Sequence, residues 1–173
     1  MKKLIPLLAL VCFFITAAHA QSDKTKRKSP ADSVTTTTTD GITVSINYSK
    51  PSLKGRTIGV DVAEINKVWR TGANEATTIS LDKDVTIDGK KLPAGKYSLY
   101  SIPAEQKSTV IFNKTWQQWG TKYDQAQDAL RIEVDNGSSV NSVEQLKIDV
   151  DKSGKVSLAW GLYTVSFTIK AAQ

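Results

Sequence analysis

The chain has 173 residues, with 23 Lys+Arg against 17 Asp+Glu, a formal net charge of +6, and a single residue each of His, Cys and Met. Those three are His19, Cys12 and Met1, all within the first twenty positions. Beyond Ala20, a Ser-His-Asp triad, a Cys-His nucleophile or a zinc site of imidazole and thiolate ligands has no side chains to draw on.

The first twenty residues read as an export leader. Lys2 and Lys3 form a basic start, Leu4 to Ala17 an apolar stretch, and Ala18-His19-Ala20 a small-x-small cleavage signal. We expect cleavage between Ala20 and Gln21, with the mature protein periplasmic or secreted. The apolar run is shorter than the roughly twenty residues a spanning helix needs, and no later segment is long and apolar, so no transmembrane segment is expected. Lipidation at Cys12 is disfavoured by the bulky Val11 before it and the apolar run after it. Without Lys2 and Lys3 the charge falls from +6 to +4. Cys12 leaves with the leader, so the exported domain must hold together without a disulfide.

Lys24, Lys26, Arg27 and Lys28 precede any core pattern, which makes residues 21–32 a flexible basic tail able to touch anionic lipid or polysaccharide. Nucleic acid is not an expected partner for an exported chain of this modest charge. From Ser33 to the end, residues 33–173 read as one domain written in period two. In GITVSINY, Ile42, Val44, Ile46 and Tyr48 alternate with polar residues, and the β-branched VTTTTT run upstream meets it across Asp40-Gly41 as a hairpin. TTISL follows, then Val85 and Ile87 leading into a second Asp-Gly turn at Asp88-Gly89. KYSLYSI carries apolar groups on both faces, as a central strand does. TVIFN and LRIEV come next. The C-terminal third is a meander of Leu146, Ile148 and Val150, a turn at Asp151 to Gly154, then Val156, Leu158 and Trp160, then Tyr163, Val165, Phe167 and Ile169. The fold class is all-β: an antiparallel sandwich or jelly-roll-like barrel of about ten short strands. One or two helical turns are allowed at TKYDQAQDAL.

Two stretches break the strand grammar, Ser49 to Glu75 and Lys114 to Asp128. They hold Trp69, Trp116 and Trp119, residues that disordered segments rarely carry. They read as ordered loops covering one end or face of the sandwich, and the chemistry concentrates there. KGR and WRTGANE bring together Lys54, Arg56, Trp69, Arg70, Asn74 and Glu75, with Trp119 on the second loop. An aromatic plate beside guanidinium, amide and carboxylate groups suits a small polar or saccharide ligand. The bland alternative makes Arg70 pair with Glu75 and Trp69 plug the sandwich. Glu75 and Asp128 are the candidate catalytic pair, since glycoside hydrolysis needs only two suitably spaced acids. The third alternative is a structural or assembly partner in the cell envelope. The run Asp149-Val-Asp151-Lys-Ser153-Gly154 imitates the front of a calcium loop, but Trp160 falls where the bidentate Glu belongs, and a plain hairpin explains it. No metal and no cofactor are expected.

YSKPSLKGR (Tyr48 to Arg56), VWRTGANEATT (Val68 to Thr78), DVTIDGKKLPAGKYSLYSIP (Asp84 to Pro103), VIFN (Val110 to Asn113), the Trp119-Gly120 pair and DALR (Asp128 to Arg131) run in order through the chain. On these segments the sequence resembles the exported bacterial proteins grouped as domain of unknown function 2911. Members usually carry an IFG and a Val-Pro-type segment between KGR and WR, where this chain reads TIGVDVAEINK. The resemblance implies an exported, mostly β protein and no known activity, cofactor or partner.

Overall fold

The computed structural model describes residues 26–172; the leader, Cys12 and Lys24 lie outside them. Nine strands make the fold: β1 (Ala31–Thr37), β2 (Thr43–Ser49), β3 (Thr77–Leu81), β4 (Val85–Ile87), β5 (Lys90–Leu92), β6 (Gly95–Ile102), β7 (Lys107–Asn113), β8 (Asp128–Val150) and β9 (Lys155–Ala171). All pairings are antiparallel, in a single sheet of order β1-β2-β3-β6-β7-β8-β9-β4-β5. The helical element at TKYDQAQDAL is a 3-10 turn, Gln125–Gln127, started by Asp124, whose carboxylate accepts from the Ala126 N–H at 2.9 Å. Among the described residues no helix is long and apolar enough to cross a membrane.

The expected all-β antiparallel fold is present, with nine strands in place of about ten. LRIEV and LKIDV are not two strands but the ends of one, β8, of 23 residues. Straight, it would span roughly 75 Å, far more than a domain of this size. It bends instead, through register shifts between Ser138 and Val143 and between Val143 and Lys147. Its first part pairs with β7 and its second with β9, so one strand serves both halves of the sheet. The last two predicted strands fuse likewise into β9, because Gly161 takes φ +61° and kinks the chain without turning it back.

The sheet curls until its first strands meet the far part of β8. Thr36 Oγ1 donates to the Val150 carbonyl at 2.8 Å, the Tyr48 hydroxyl accepts from the Ile148 N–H at 3.2 Å, and the Leu53 and Leu146 N–H groups donate to the Glu144 and Pro51 carbonyls respectively. The period-two residues fill the space enclosed. Ile42, Val44, Ile46, Ile79, Val85, Ile87, Leu146, Ile148, Val156, Phe167 and Ile169 belong to one buried cluster, with Phe112 edge-on to Phe167 at 5.6 Å. β6 is buried on both faces, as its sequence predicts. Tyr97 and Leu99 enter the main core, while Tyr100 joins Ala76 and Ile111 in a smaller cluster on the opposite face. That second face exists because residues 114–127 lie over it, the Tyr100 hydroxyl donating to the Lys122 carbonyl at 3.0 Å.

Candidate functional site

The two stretches that break the strand pattern clasp each other. Ala76 N–H donates to the Gln118 carbonyl at 3.0 Å, Gly120 N–H donates to the Asn74 carbonyl at 2.9 Å, and Glu75 bridges to Trp119. Trp69 is anchored to the end of β6 by reciprocal backbone bonds with Ser101 at 2.7 and 2.9 Å. Residues with positive φ concentrate in the first loop: Lys54, Ala63, Asn66, Thr71 and Asn74. Asn tolerates this conformation, but Thr71 is β-branched and sits at φ 50°. It is held there by burial, by its hydroxyl bond to Ser101 Oγ at 3.0 Å, and by a bond from Thr77 Oγ1 to its carbonyl at 2.8 Å. Strain over-determined in this way collects at sites that position groups for a ligand.

Between the loops and the sheet lies a cavity of about 630 Å³. Trp69, Trp160, Tyr100 and Tyr123 supply its aromatic walls, and Arg56 and Arg70 its charge. Trp69 stacks on the buried Trp160 with ring centroids 5.5 Å apart and planes 14° from parallel. Tyr100 and Tyr123 meet at 4.8 Å. Both tyrosine hydroxyls are committed elsewhere, so they present ring surface: Tyr100 donates to Lys122, and Tyr123 donates to Asp128 at 2.7 Å. Arg56 is oriented by carbonyls, its Nε donating to Leu53 at 2.9 Å and its Nη2 to Ser52 at 2.6 Å. Arg70 makes only a long Nε bond to the Gly72 carbonyl at 3.4 Å, and neither arginine has a carboxylate partner among the described residues. Its stem is wedged by Gly120, where a Cβ would stand 2.4 Å from Arg70 Cδ. Burial raises the Tyr100 pKa above its ordinary value, and the positive charge of Arg70 is among the influences pulling it back.

Glu75 faces away from this cavity. It lines a second pocket of about 440 Å³ with Asp32, Tyr48, Lys96 and Trp116. Its carboxylate oxygens each accept from Arg27 Nη1, at 2.8 and 3.0 Å. Asn74 Nδ2 donates to the Ser29 carbonyl at 3.0 Å and to Ser49 Oγ at 3.3 Å. Residues of the basic N-terminal segment are thus docked along the GANE wall, with Arg27 on Glu75 and Ser29 on the rim of the main cavity. Lys96 lies over the Trp116 ring at 4.2 Å.

Asp128 belongs to a closed network at the start of β8. It accepts from Arg131 Nε at 2.7 Å, Tyr123 hydroxyl at 2.7 Å and Asn113 Nδ2 at 2.8 Å, while Arg131 Nη2 donates to the Tyr123 oxygen at 2.6 Å. Burial first, and then the bond to Asp128, push the Tyr123 pKa up to about 12, against the opposing pull of Arg131. In the Asp151 turn, Oδ1 of the carboxylate accepts from Ser153 N–H, Ser153 hydroxyl and Lys155 N–H at 2.8, 2.6 and 3.0 Å, the bonding of a hairpin turn. Among the described residues no group of three or more His, Cys, Asp and Glu is arranged to hold a metal ion.

The candidates from sequence therefore divide. Trp69, Arg70 and Arg56 share the main cavity, Glu75 lines the second pocket, and Asn74 ties the wall between them. Lys54 is exposed on its turn and Trp119 is 47% exposed on the second loop; neither lines either pocket. Asp128 contributes to neither pocket. Arg70 and Glu75 do not pair; Arg27 takes that carboxylate. Sequence reasoning left out Tyr100, Tyr123 and Trp160. The two-faced pattern of KYSLYSI signalled that something covers Tyr100, but which loop does so is a matter of tertiary placement.

A curled antiparallel sheet with a loop-built aromatic and arginine cavity defines an all-β protein with a preformed pocket. The chain belongs to the family described as Protein of unknown function (DUF2911), whose profile matches residues 29–169. No curated protein and no solved structure matches it.

Proposed function

We propose that this is an exported binding protein that takes a small polar or saccharide ligand in the cavity of Trp69, Arg70 and Arg56. The observation that carries this reading is the half-buried Arg70, with no carboxylate partner among the described residues, beside aromatic rings in a cavity of about 630 Å³. That volume falls within the roughly 300–1,000 Å³ range of small-molecule sites, and apolar walls with a few oriented polar groups are their usual make-up. The strained Thr71, two residues after Trp69, supports it. Hydrolysis by Glu75 and Asp128 has less support, because each carboxylate is already held by an arginine and the two do not share a pocket.

Export is part of the proposal: expression in a bacterial host should yield envelope-fraction or secreted protein whose N-terminal sequence starts at Gln21. Binding is tested by a thermal-shift panel of sugars, cell-wall fragments and carboxylates. A ligand at about a hundred times its Kd adds about 2.7 kcal/mol. For a domain of this length that raises Tm by roughly 5–10 °C. The shift should vanish in a folded Arg70→Ala variant. A full panel with no shift in the parent would sink the reading.

A further inference from the structure

We infer that the ligand is a sugar bearing an oxyanion, a carboxylate or a sulfate, whose charge is met by Arg70 and Arg56; this rests on the binding role proposed above. Among the described residues no Asp or Glu lines the main cavity, whereas two arginines do. Arg70 commits one long bond to the Gly72 carbonyl, which leaves its two terminal nitrogens without an acceptor among the described residues. Arg56 spends Nε and Nη2 on carbonyls and keeps Nη1 for a further partner. The tyrosine hydroxyls on the walls, which Ser29 and Thr121 also line, are engaged with Lys122, Asp128, Gln118 and Arg131.

The charged side chains that face a ligand are therefore donors with no acidic acceptor among them. A neutral sugar hydroxyl is best served by a donor and an acceptor together, while an oxyanion needs donors alone. Arginine's planar fork matches a carboxylate or sulfate in two parallel bonds. A half-buried guanidinium with no counterion has lost solvation that an anionic ligand restores. The aromatic walls supply the surface against which a ring body packs.

The test uses three probes of one ring shape on the purified protein: D-galactose, D-galacturonate and D-galactose 6-sulfate. Calorimetry gives the affinities, and tryptophan fluorescence reports on the Trp69–Trp160 stack. The expected result is that at least one anionic probe binds about tenfold or more tightly than galactose, as charge-assisted bonds require. Which of the two wins identifies the oxyanion. The preference should disappear in Arg70→Gln, survive in part in Arg70→Lys, and weaken with added salt. Because arginine keeps its charge throughout, galacturonate affinity should hold from about pH 5 to pH 9 and fall only as the sugar carboxyl protonates.

If galactose binds as tightly as both anionic probes, this inference is overturned and the broader binding reading stands alone. Silence from all three probes, when any other member of the wider panel still shifts Tm, has the same consequence. Silence across that whole panel overturns both. An anionic preference that persists in a folded Arg70→Gln variant also overturns the assignment. Should that variant lose its native circular dichroism, Arg56→Gln is judged by the same criterion.

Discussion

Gly120→Ala tests the link between the loop clasp and the cavity. An added Cβ would lie 2.4 Å from Arg70 Cδ, 3.0 Å from Arg70 Cβ and 2.9 Å from the Asn74 carbonyl oxygen. Arg70 Cδ can swing away by side-chain rotation. Arg70 Cβ is fixed to its backbone, and the Asn74 oxygen is backbone, tied to Gly120 by an N–H bond of 2.9 Å, so the WRTGANE wall must shift as well. Overpacking of this kind costs about 1–3 kcal/mol. At roughly 2–4 °C per kcal/mol for a chain of this length, Tm should fall by about 3–10 °C. Expelling the Arg70 stem also removes a charge-assisted contact of about 1.5–3 kcal/mol from any ligand it serves, or roughly 10- to 100-fold in affinity.

Differential scanning calorimetry and ligand titration read the two effects separately. Gly89→Ala, on the Asp88-Gly89 turn away from both pockets, is the control. Nothing lies within 4 Å of its added Cβ, but its φ of +83° gives the substitution a backbone strain of about 1–2 kcal/mol. It should lose stability and keep affinity. A Gly120→Ala protein with parental Tm and parental affinity would refute the claim that this contact sets the position of Arg70.

Three further outcomes are expected. Gly154→Ala should be among the most damaging single changes, losing upward of about 3 kcal/mol in denaturant unfolding, because its Cβ would stand 2.1 Å from the Ile169 carbonyl oxygen and its φ is +85°. Arg27→Ala should cost at most about 1 kcal/mol, since the pair is 28% and 38% exposed, yet it should expose the chain to trypsin at Lys26 and Lys28; unchanged cleavage would mean that Arg27 does not hold the segment down. Stability should decline as pH rises from about 10 to about 12. Tyr123 keeps its proton to about 12 against an ordinary 10.0, so the unfolded chain loses protons first and alkali favours unfolding over that interval. Absorbance titration of tyrosinate, repeated in Asp128→Asn, should find one hydroxyl titrating earlier in the variant, and an unchanged curve would contradict the network.

The strands were legible because a half-buried strand must alternate. Ile42, Val44, Ile46 and Tyr48 could be placed in the core from spacing alone, and Asp88-Gly89 marked its turn because both residues need positive φ, found at 44° and 83°. The ends of β8 were legible as well, but not their union. Bulges at 138–147 and the Gly161 kink resemble breaks in a sequence, while backbone pairing across the sheet carries the strands through them.

The site divides in the same way. The sequence by itself determined that no residue beyond Ala20 supplies an imidazole or a thiol, that the chain folds as antiparallel β structure, and that Trp69, Arg70 and Arg56 lie on irregular loops. Only the tertiary structure decided that Glu75 turns to the other side of the GANE wall and is taken by Arg27, 48 residues earlier in the chain. It also decided that Tyr100, Tyr123 and Trp160, from β6, the second loop and β9, close around Arg70. Local alternation encodes which face of a strand is buried, whereas partners far apart in sequence are chosen by how the curled sheet brings its loops together, and no local pattern records that choice.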